Sequence, residues 1–115
     1  MLNYHLDIAP ESKWIITTKS EAARAMPFYL TELGDFFAGS GYFTERDQKE
    51  GYQLIYTISG RGLFQTETQE LLLTPGSVLI IKGCDHHRYE TNQAVWHNRW
   101  IHFGGSGADA YEAYI

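Results

Sequence analysis

The sequence predicts an all-β domain, either a sandwich or a barrel of short strands. Between residues 27 and 103, short apolar and aromatic stretches alternate with turn residues, which is the pattern of such folds. The run Ser59-Gly60-Arg61-Gly62 predicts a hairpin turn, because glycine adopts the positive φ that tight turns need. Thr74-Pro75-Gly76 predicts a type II turn, with proline at its second position and glycine at its third.

The turns divide this body of the domain, residues 27–103, into eight predicted strands. In chain order, the strands cover residues 28–33, 42–46, 52–58, 62–66, 70–73, 77–81, 87–91 and 95–103.

Two further segments flank the body. Residues 1–26 lack a sustained period, and we expect them to form an N-terminal arm that packs over the body. The arm contains a β-like patch at residues 14–18 and one helical turn capped by Ser20. Residues 104–115 start with a glycine-rich run and continue as a helix, because Ser106 and Asp109 form a capping pattern. This helix has no stop signal, so we expect it to continue in a longer parent protein.

The last predicted strand carries an unusual row of side chains. Alternate residues of a strand share a face, so one face presents Trp96, Asn98, Trp100 and His102. A core-facing row is usually aliphatic, whereas indole rings beside an amide and an imidazole suit a small polar ligand. The row therefore predicts either a binding pocket or tryptophans that fill the core with their indole N–H groups satisfied locally.

Composition narrows the possible functions. The 115-residue chain is long enough for one domain with a modest core. Its net charge of -5 argues against nucleic-acid binding by this segment, since phosphate contacts need clustered Lys and Arg. The single cysteine, Cys84, excludes an internal disulfide and fits a reducing cytoplasm. The sequence shows no secretion signal or membrane-spanning stretch, so we expect a cytoplasmic protein.

Metal and nucleophile sites are disfavoured by residue spacing. His86 and His87 are neighbours, which face opposite ways on a strand, and no His-x-His pattern supplies further ligands. Cys84 lies beside Asp85 and His86, but adjacency in sequence does not give catalytic geometry. We therefore expect no metal, no cofactor and no catalytic residue. Arg46 is open to two interpretations, a solvated surface charge or a guanidinium that hydrogen-bonds ligand oxygens.

An ordered series of motifs strongly resembles the N-terminal sensor domain of AraC-family transcriptional regulators. The motifs are GYQLIYTISGRG at residues 51–62, LTPGSVLII at 73–81, HHRY at 86–89 and WHNRWIHFG at 96–104. The resemblance covers roughly residues 27 to 115 and implies a cupin-like, jelly-roll β-barrel that binds a small effector, often a sugar. In that family the barrel is followed by dimerising helices and a DNA-binding pair of helix-turn-helix motifs, for which the remaining residues leave no room.

The resemblance also implies which residues line the pocket. Carried across by motif, the family's sugar-binding positions fall on or near Thr31, Arg46, Tyr89, Asn98 and Trp100. Either His87 or Tyr89 takes the place of the family's pocket tyrosine, because this chain has His-His-Arg-Tyr where the family has His-His-Tyr. Asn98 replaces a family histidine, which changes the donor and acceptor pattern offered to a ligand. Trp96, from the row described above, completes the predicted ligand-binding set.

We therefore predict the effector-sensing domain of an AraC-type transcriptional regulator, which is not an enzyme. Its expected partners are a small carbohydrate-like effector, a second copy in the full-length homodimer, and DNA through a C-terminal domain outside this chain. Effector binding would favour one packing of the arm and the dimerising helices over another. The alternative is a stand-alone, metal-dependent cupin enzyme acting on a sugar-like substrate, because the fold alone does not decide between the two.

Overall fold

Two five-stranded antiparallel sheets face each other and enclose the core. The computed structural model describes residues 1–17 and 20–112, which form ten strands and two helices. In chain order these are β1 (Leu2–His5), β2 (Lys13–Ile16), α1 (Glu21–Arg24), β3 (Tyr29–Ala38), β4 (Phe43–Arg46), β5 (Tyr52–Ser59), β6 (Gly62–Gln65), β7 (Glu70–Leu73), β8 (Val78–Lys82), β9 (His87–Thr91), β10 (Trp96–Gly104) and α2 (Ser106–Glu112).

The chain passes from one sheet to the other at most of its connections. The first sheet has the strand order β1-β4-β9-β6-β7, and the second has the order β2-β3-β10-β5-β8. Apart from the direct steps β2 to β3 and β6 to β7, consecutive strands lie in different sheets. This connectivity is that of a jelly roll, in which each sheet buries one face against the other.

The predicted all-β fold is confirmed, and each of the eight predicted strands is present. Strands β7 and β9 have the predicted ends, whereas β3 extends to Ala38 instead of ending near residue 33. Gly34 lies inside β3 and is buried there. Its missing side chain leaves room for the indole of Trp100 on the neighbouring strand, so this glycine serves packing and does not end the strand.

The predicted arm contributes one edge strand to each sheet. Strand β1 pairs with β4, where Tyr4 lies opposite Thr44, and β2 pairs with β3, where Trp14 lies opposite Gly34. Between β1 and β2 the chain crosses the connection from β3 to β4. There the Gly39 N–H donates to the Asp7 carbonyl at 2.8 Å, and the Gly41 N–H donates to the Asp7 carboxylate at 2.9 Å. The last residue of the predicted β-like patch, residue 18, lies outside the described residues.

Both predicted helix starts are present. The Ser20 hydroxyl accepts a hydrogen bond from the Ala23 N–H at 3.1 Å and so caps α1. Helix α2 begins at Ser106, and its predicted continuation past residue 112 lies outside the described residues. No helix within the described ranges has the length and hydropathy needed to cross a membrane.

Aromatic side chains dominate the core between the sheets. Its large buried rings are Phe36, Tyr42, Phe64, Tyr89, Trp96 and Trp100. Trp96 is fully buried, and its indole N–H donates to the Thr57 hydroxyl at 3.1 Å. Gly62 makes space for this ring, since a Cβ at position 62 would lie 2.4 Å from an indole carbon. Trp96 therefore fills the closed part of the barrel.

Candidate functional site

A cavity of about 200 Å³ lies between the two sheets, beside the strands of the arm. The first sheet contributes Leu2, Tyr4, Thr44, Arg46 and Tyr89, and the second contributes Trp14, Glu32, Phe36, Trp100 and His102. Leu6, Tyr42 and Lys49 complete the wall from the connecting segments. One side of the cavity is therefore built by the N-terminal segment and the other by the centre of the barrel.

Trp100 supplies a flat apolar surface to this cavity. Its indole lies over Gly34, where a Cβ would approach the ring to 2.4 Å. The Phe36 ring meets the indole edge-to-face at 5.2 Å between centroids, and Trp14 does so at 6.4 Å. The Trp100 Nε1–H is buried and has no hydrogen-bond partner among the described residues. Since buried indole N–H groups are normally paired, this donor is available to a bound molecule.

Charged side chains line the same cavity. Arg46 on β4 is half-buried, and its Nε–H, like the Trp100 indole N–H, lacks a hydrogen-bond partner within the described part of the chain. Lys49 adds a second cationic side chain to the wall. Glu32 is the acidic member, and its carboxylate accepts a hydrogen bond from the Trp14 indole at 3.0 Å.

His102 presents a neutral imidazole to the cavity. Its pKa is lowered to about 3, chiefly by burial and in addition by the positive charges of Arg46 and Lys49. The ring is 4% exposed and meets the Trp100 indole edge-to-face at 5.1 Å. A neutral imidazole has one donor and one acceptor nitrogen, so His102 can take part in hydrogen bonds of either sense.

Two tyrosines extend the polar part of the wall. The Gln53 amide donates to the Tyr89 hydroxyl at 3.1 Å, and the Thr44 hydroxyl donates to that of Tyr42 at 3.3 Å. Burial raises the pKa of Tyr42, and the neighbouring Tyr89 raises it further. Both the imidazole and this phenol are therefore uncharged at neutral pH, and the charges of the cavity are those of Arg46, Lys49 and Glu32.

Three residues of the predicted ligand-binding set line the cavity, namely Arg46, Tyr89 and Trp100. Thr31 does not, because the pairing register of β3 skips it. Glu32 lies opposite His102 and Leu30 opposite Phe103, and the Thr31 hydroxyl donates to the His102 carbonyl at 3.4 Å. Glu32 shares its face of β3 with Gly34 and Phe36 by regular alternation, so Glu32 lines the cavity where Thr31 was expected, and the bulge lies at Thr31 itself.

Trp96 and Asn98 lie outside the cavity although their row is buried as predicted. Trp96 donates to Thr57, and the Asn98 amide, 3% exposed, donates to the Trp96 carbonyl at 3.5 Å. The row Trp96-Asn98-Trp100-His102 therefore divides in two. Its first half fills the core and its second half lines the cavity.

His87 is buried behind the cavity wall. Its Nδ1–H donates to the Asp85 carbonyl at 2.8 Å, and its ring stacks on Tyr89 at 6.0 Å between centroids. Burial lowers the pKa of His87, and the nearby positive charge of Arg46 acts in the same sense. Its Nε2 is buried and unpaired among the described residues. Of the two alternatives for the pocket position, Tyr89 is the one that lines the cavity.

The predicted ligand-binding set did not include several wall residues. His102 belongs to the inward row of the last strand but was not placed in the set. Glu32 shares its face with Gly34 and Phe36, which lie beyond the predicted end of that strand at residue 33. The residues of β1 and β2 line the cavity only through long-range pairing, which carries no local signal.

The histidine pair does not form a metal centre with its neighbours. Within residues 1–17 and 20–112 there is no group of three or more His, Cys, Asp or Glu side chains that could hold a metal ion. His86 instead contacts two carboxylates, Glu45 at 2.6 Å and Glu67 at 3.0 Å. The hydrogen bond that His86 donates to Glu45, followed by the one that it donates to Glu67, raises the pKa of His86. Cys84 is an exposed free thiol.

Residues 35–113 match the family model of the AraC-like ligand binding domain. The chain belongs to this family. The match to the AraC-like domain begins within β3 and includes strands β4 to β10, so it contains Arg46, Tyr89, Trp100 and His102. The arm strands and Glu32, which complete the cavity, precede the matched range. Comparison with curated protein sequences found no match.

Several solved structures with a similar fold are described as cupins. A cupin superfamily protein from Desulfitobacterium hafniense aligns with 83% of the AraC-like domain and 79% of its own chain, at 14% identity and a TM-score of 0.60. A Cupin_2 domain of an XRE family transcriptional regulator from Enterobacter cloacae aligns over 79% and 95%, at 17% identity and a TM-score of 0.56. A Cupin 2 conserved barrel domain protein from Salinispora arenicola aligns over 98% and 91%, at 13% identity and a TM-score of 0.59. These similarities confirm the predicted cupin-like barrel.

Proposed function

We propose that this AraC-like domain binds a small carbohydrate-like effector and thereby controls DNA binding by a helix-turn-helix domain outside this chain. The observation that carries the proposal is the Trp100 indole, which lines a cavity beside Arg46 while a buried N–H of each side chain lacks a partner among the described residues. A bound molecule with hydroxyl groups would satisfy both donors. The role is one of binding, not catalysis.

The shape of the wall suits a sugar. Sugars present a face of C–H groups and an edge of hydroxyls, so they need an aromatic ring on one side and hydrogen-bonding groups around it. Trp100 and Phe36 offer the apolar surface, and Arg46, Tyr89 and His102 offer donors and acceptors. The cavity volume of about 200 Å³ lies below the ~300–1,000 Å³ of sites for drug-sized ligands. We therefore favour a monosaccharide over a longer saccharide.

The regulatory part of the proposal comes from the family. The chain matches a ligand-binding domain of AraC type, and a cupin domain of a transcriptional regulator of another class shares its fold. We propose that the parent protein is a cytoplasmic homodimer. In it, effector binding favours one packing of the arm and the dimerising helices, and so sets the arrangement of the DNA-binding units.

A thermal-shift screen across neutral and acidic mono- and disaccharides tests the ligand class. A ligand at ~100 times its dissociation constant stabilises the fold by ~2.7 kcal/mol, which raises the melting temperature of a domain this size by ~10 °C. The rise in melting temperature that a bound saccharide causes should disappear in Trp100→Ala. Trp100→Phe, which keeps a ring but removes the indole N–H, should retain part of the shift even if the alanine variant is too unstable to use.

The matched control is Tyr56→Ala, which removes an exposed aromatic ring that does not line the cavity. This variant should keep the full ligand-induced shift. If no saccharide shifts the melting point, or if the shift survives loss of Trp100, the carbohydrate assignment is wrong. A metal-dependent cupin enzyme, the alternative from the sequence, would need a ligand cluster, and no observation on the described residues favours it.

A further inference from the structure

We propose that the effector carries a carboxylate, so that the domain recognises a monosaccharide-sized sugar acid whose carboxylate is bound by Arg46. The inference rests on the proposed carbohydrate-binding function and names the chemical class of ligand at the same cavity. It follows from the balance of charge around Arg46.

Arg46 differs from the other arginines on the sheets. Arg88 on β9 lies 3.8 Å from Glu45 and 3.6 Å from Glu90, and Arg99 on β10 lies 3.6 Å from Asp35. Arg46 forms no ion pair with a carboxylate of the described residues, and its Nε is buried without a partner there. Arg46 is partly removed from water, and a cation so placed is stabilised by a hydrogen-bonded counter-charge. Its counter-charge is therefore expected from a bound molecule.

Two cationic side chains, Arg46 and Lys49, line the cavity against one acidic side chain, Glu32, among the described residues, and Glu32 forms no ion pair with Arg46. Tyr42 and His102 line the same cavity, and burial shifts the pKa of each side chain toward its neutral form. The pKa of His87, behind the wall, is also lowered by burial, and the charge of Arg46 lowers both histidine pKa values further. Lys49 adds positive charge to the cavity. A neutral sugar would hydrogen-bond Arg46 but would not neutralise it, whereas a carboxylate does both.

The other residues of the cavity wall indicate which groups the ligand carries besides its carboxylate. Glu32 is the acidic residue among the described lining residues, and it already accepts a hydrogen bond from Trp14. Its other lone pairs suit sugar hydroxyls, and its charge opposes a second anionic group on the ligand. The Trp100 ring can pack against the C–H face of the sugar. These features favour a monoanionic, hydroxyl-rich molecule of small volume over a sugar phosphate, which is bulkier and more highly charged.

Isothermal titration calorimetry with matched pairs tests the inference, using galacturonate against galactose, glucuronate against glucose, and gluconate against glucitol. We expect at least one acid to bind about tenfold or more tightly than its neutral partner, since hydrogen bonds to charged groups are the stronger ones. Arg46→Gln should abolish this difference. Arg61→Gln makes the same change of net charge at an exposed turn residue and should preserve it.

Each other outcome has a defined meaning. If a neutral sugar binds as tightly as its acid, the carboxylate inference is overturned while the proposed carbohydrate function stands. If no member of any pair binds, both are overturned. If acetate or a sugar phosphate binds as tightly as the sugar acid, the ligand class is wrong.

Should Arg46→Gln not fold, Arg46→Lys keeps the charge but loses the planar fork, and it should weaken binding of the acid about tenfold and binding of the neutral sugar by clearly less. Equal weakening of both overturns the inference.

Discussion

The indole of Trp100 occupies the space that a β-carbon at position 34 would need, so Gly34 and Trp100 are complementary partners on adjacent strands. The two residues are paired in the register of β3 and β10, and three indole atoms would lie within 2.5 Å of the added carbon. Trp14 lies opposite Gly34 from the other side. The glycine thus allows two tryptophans, one from the barrel and one from the arm, to meet over the same point of the backbone.

Gly34→Ala should therefore displace the Trp100 ring. We expect the free energy of unfolding to fall by about 1–3 kcal/mol, as in other overpacked cores, and effector binding to weaken. Urea denaturation measures the first effect. Adding Trp100→Phe to the same chain should restore part of the lost stability, because the smaller ring vacates the contested space. An absence of any rescue would show that the two positions are not coupled in this way.

The stability of the domain should decrease in acid through His102. Its pKa in the folded state is about 3, below the unperturbed value of about 6.5, so the unfolded state binds a proton that the folded state rejects. The stabilisation is complete above pH ~6.5 and is lost as the pH falls toward 3, by up to ~1.4 kcal/mol per pH unit. Urea denaturation at a series of pH values between 7 and 4 measures the free energy of unfolding, and this free energy should fall less steeply with decreasing pH in His102→Gln than in the unchanged protein. An unchanged slope would assign the acid sensitivity to other groups.

The arm should become better protected when effector binds. Strands β1 and β2 are four residues each, their side chains are exposed, and both line one side of the cavity. Short edge strands of this kind open at low free-energy cost. Amide hydrogen exchange should therefore be faster at residues 2–5 and 13–16 without effector than with it. Equal protection in both states would make the arm a fixed part of the barrel and place the switch elsewhere.

The purified domain should contain no stoichiometric transition metal. Both ring nitrogens of His86 contact carboxylates, and His87 is buried with its Nδ1–H bonded to the Asp85 carbonyl. These contacts occupy both nitrogens of His86 and one nitrogen of His87, and no cluster of further metal ligands lies beside them among the described residues. Elemental analysis of the purified chain checks the prediction. One metal per chain, lost in His86→Ala or His87→Ala, would favour the metal-dependent enzyme instead.

Much of the barrel could be predicted because its strands are marked locally. Glycine and proline fix the turns before β6 and β8, and the alternation within β10 is as predicted, with Trp96, Asn98, Trp100 and His102 all buried. The predicted end of β3 was wrong, because the predicted strand stopped at residue 33, just before Gly34, whereas β3 continues to Ala38. Glycine at position 34 leaves space for the indole of Trp100, which lies 66 positions later in the sequence. No local pattern contains that information.

The candidate site was predicted less completely for a related reason. Periodicity shows which residues face inward, but not how far along a strand the core gives way to a cavity, so Trp96 and Asn98 could not be separated from Trp100. The resemblance assigned the pocket position on β3 to Thr31, whereas the inward face of this strand carries the next residue, Glu32, in phase with Gly34 and Phe36. The arm residues of the wall are placed by pairing with distant strands and lack any alternation of their own.

The two arm strands also determine how the molecule meets its own copies. β1 covers the outer edge of β4, and β2 covers the outer edge of β3, which at ten residues is the longest strand described. Uncovered, these edges would offer rows of unpaired backbone N–H and C=O groups, the template on which sheets join between molecules. The same residues that close one side of a ligand cavity therefore keep the sheets from extending into aggregates, and a chain shortened from its N-terminus would lose solubility along with its cavity wall.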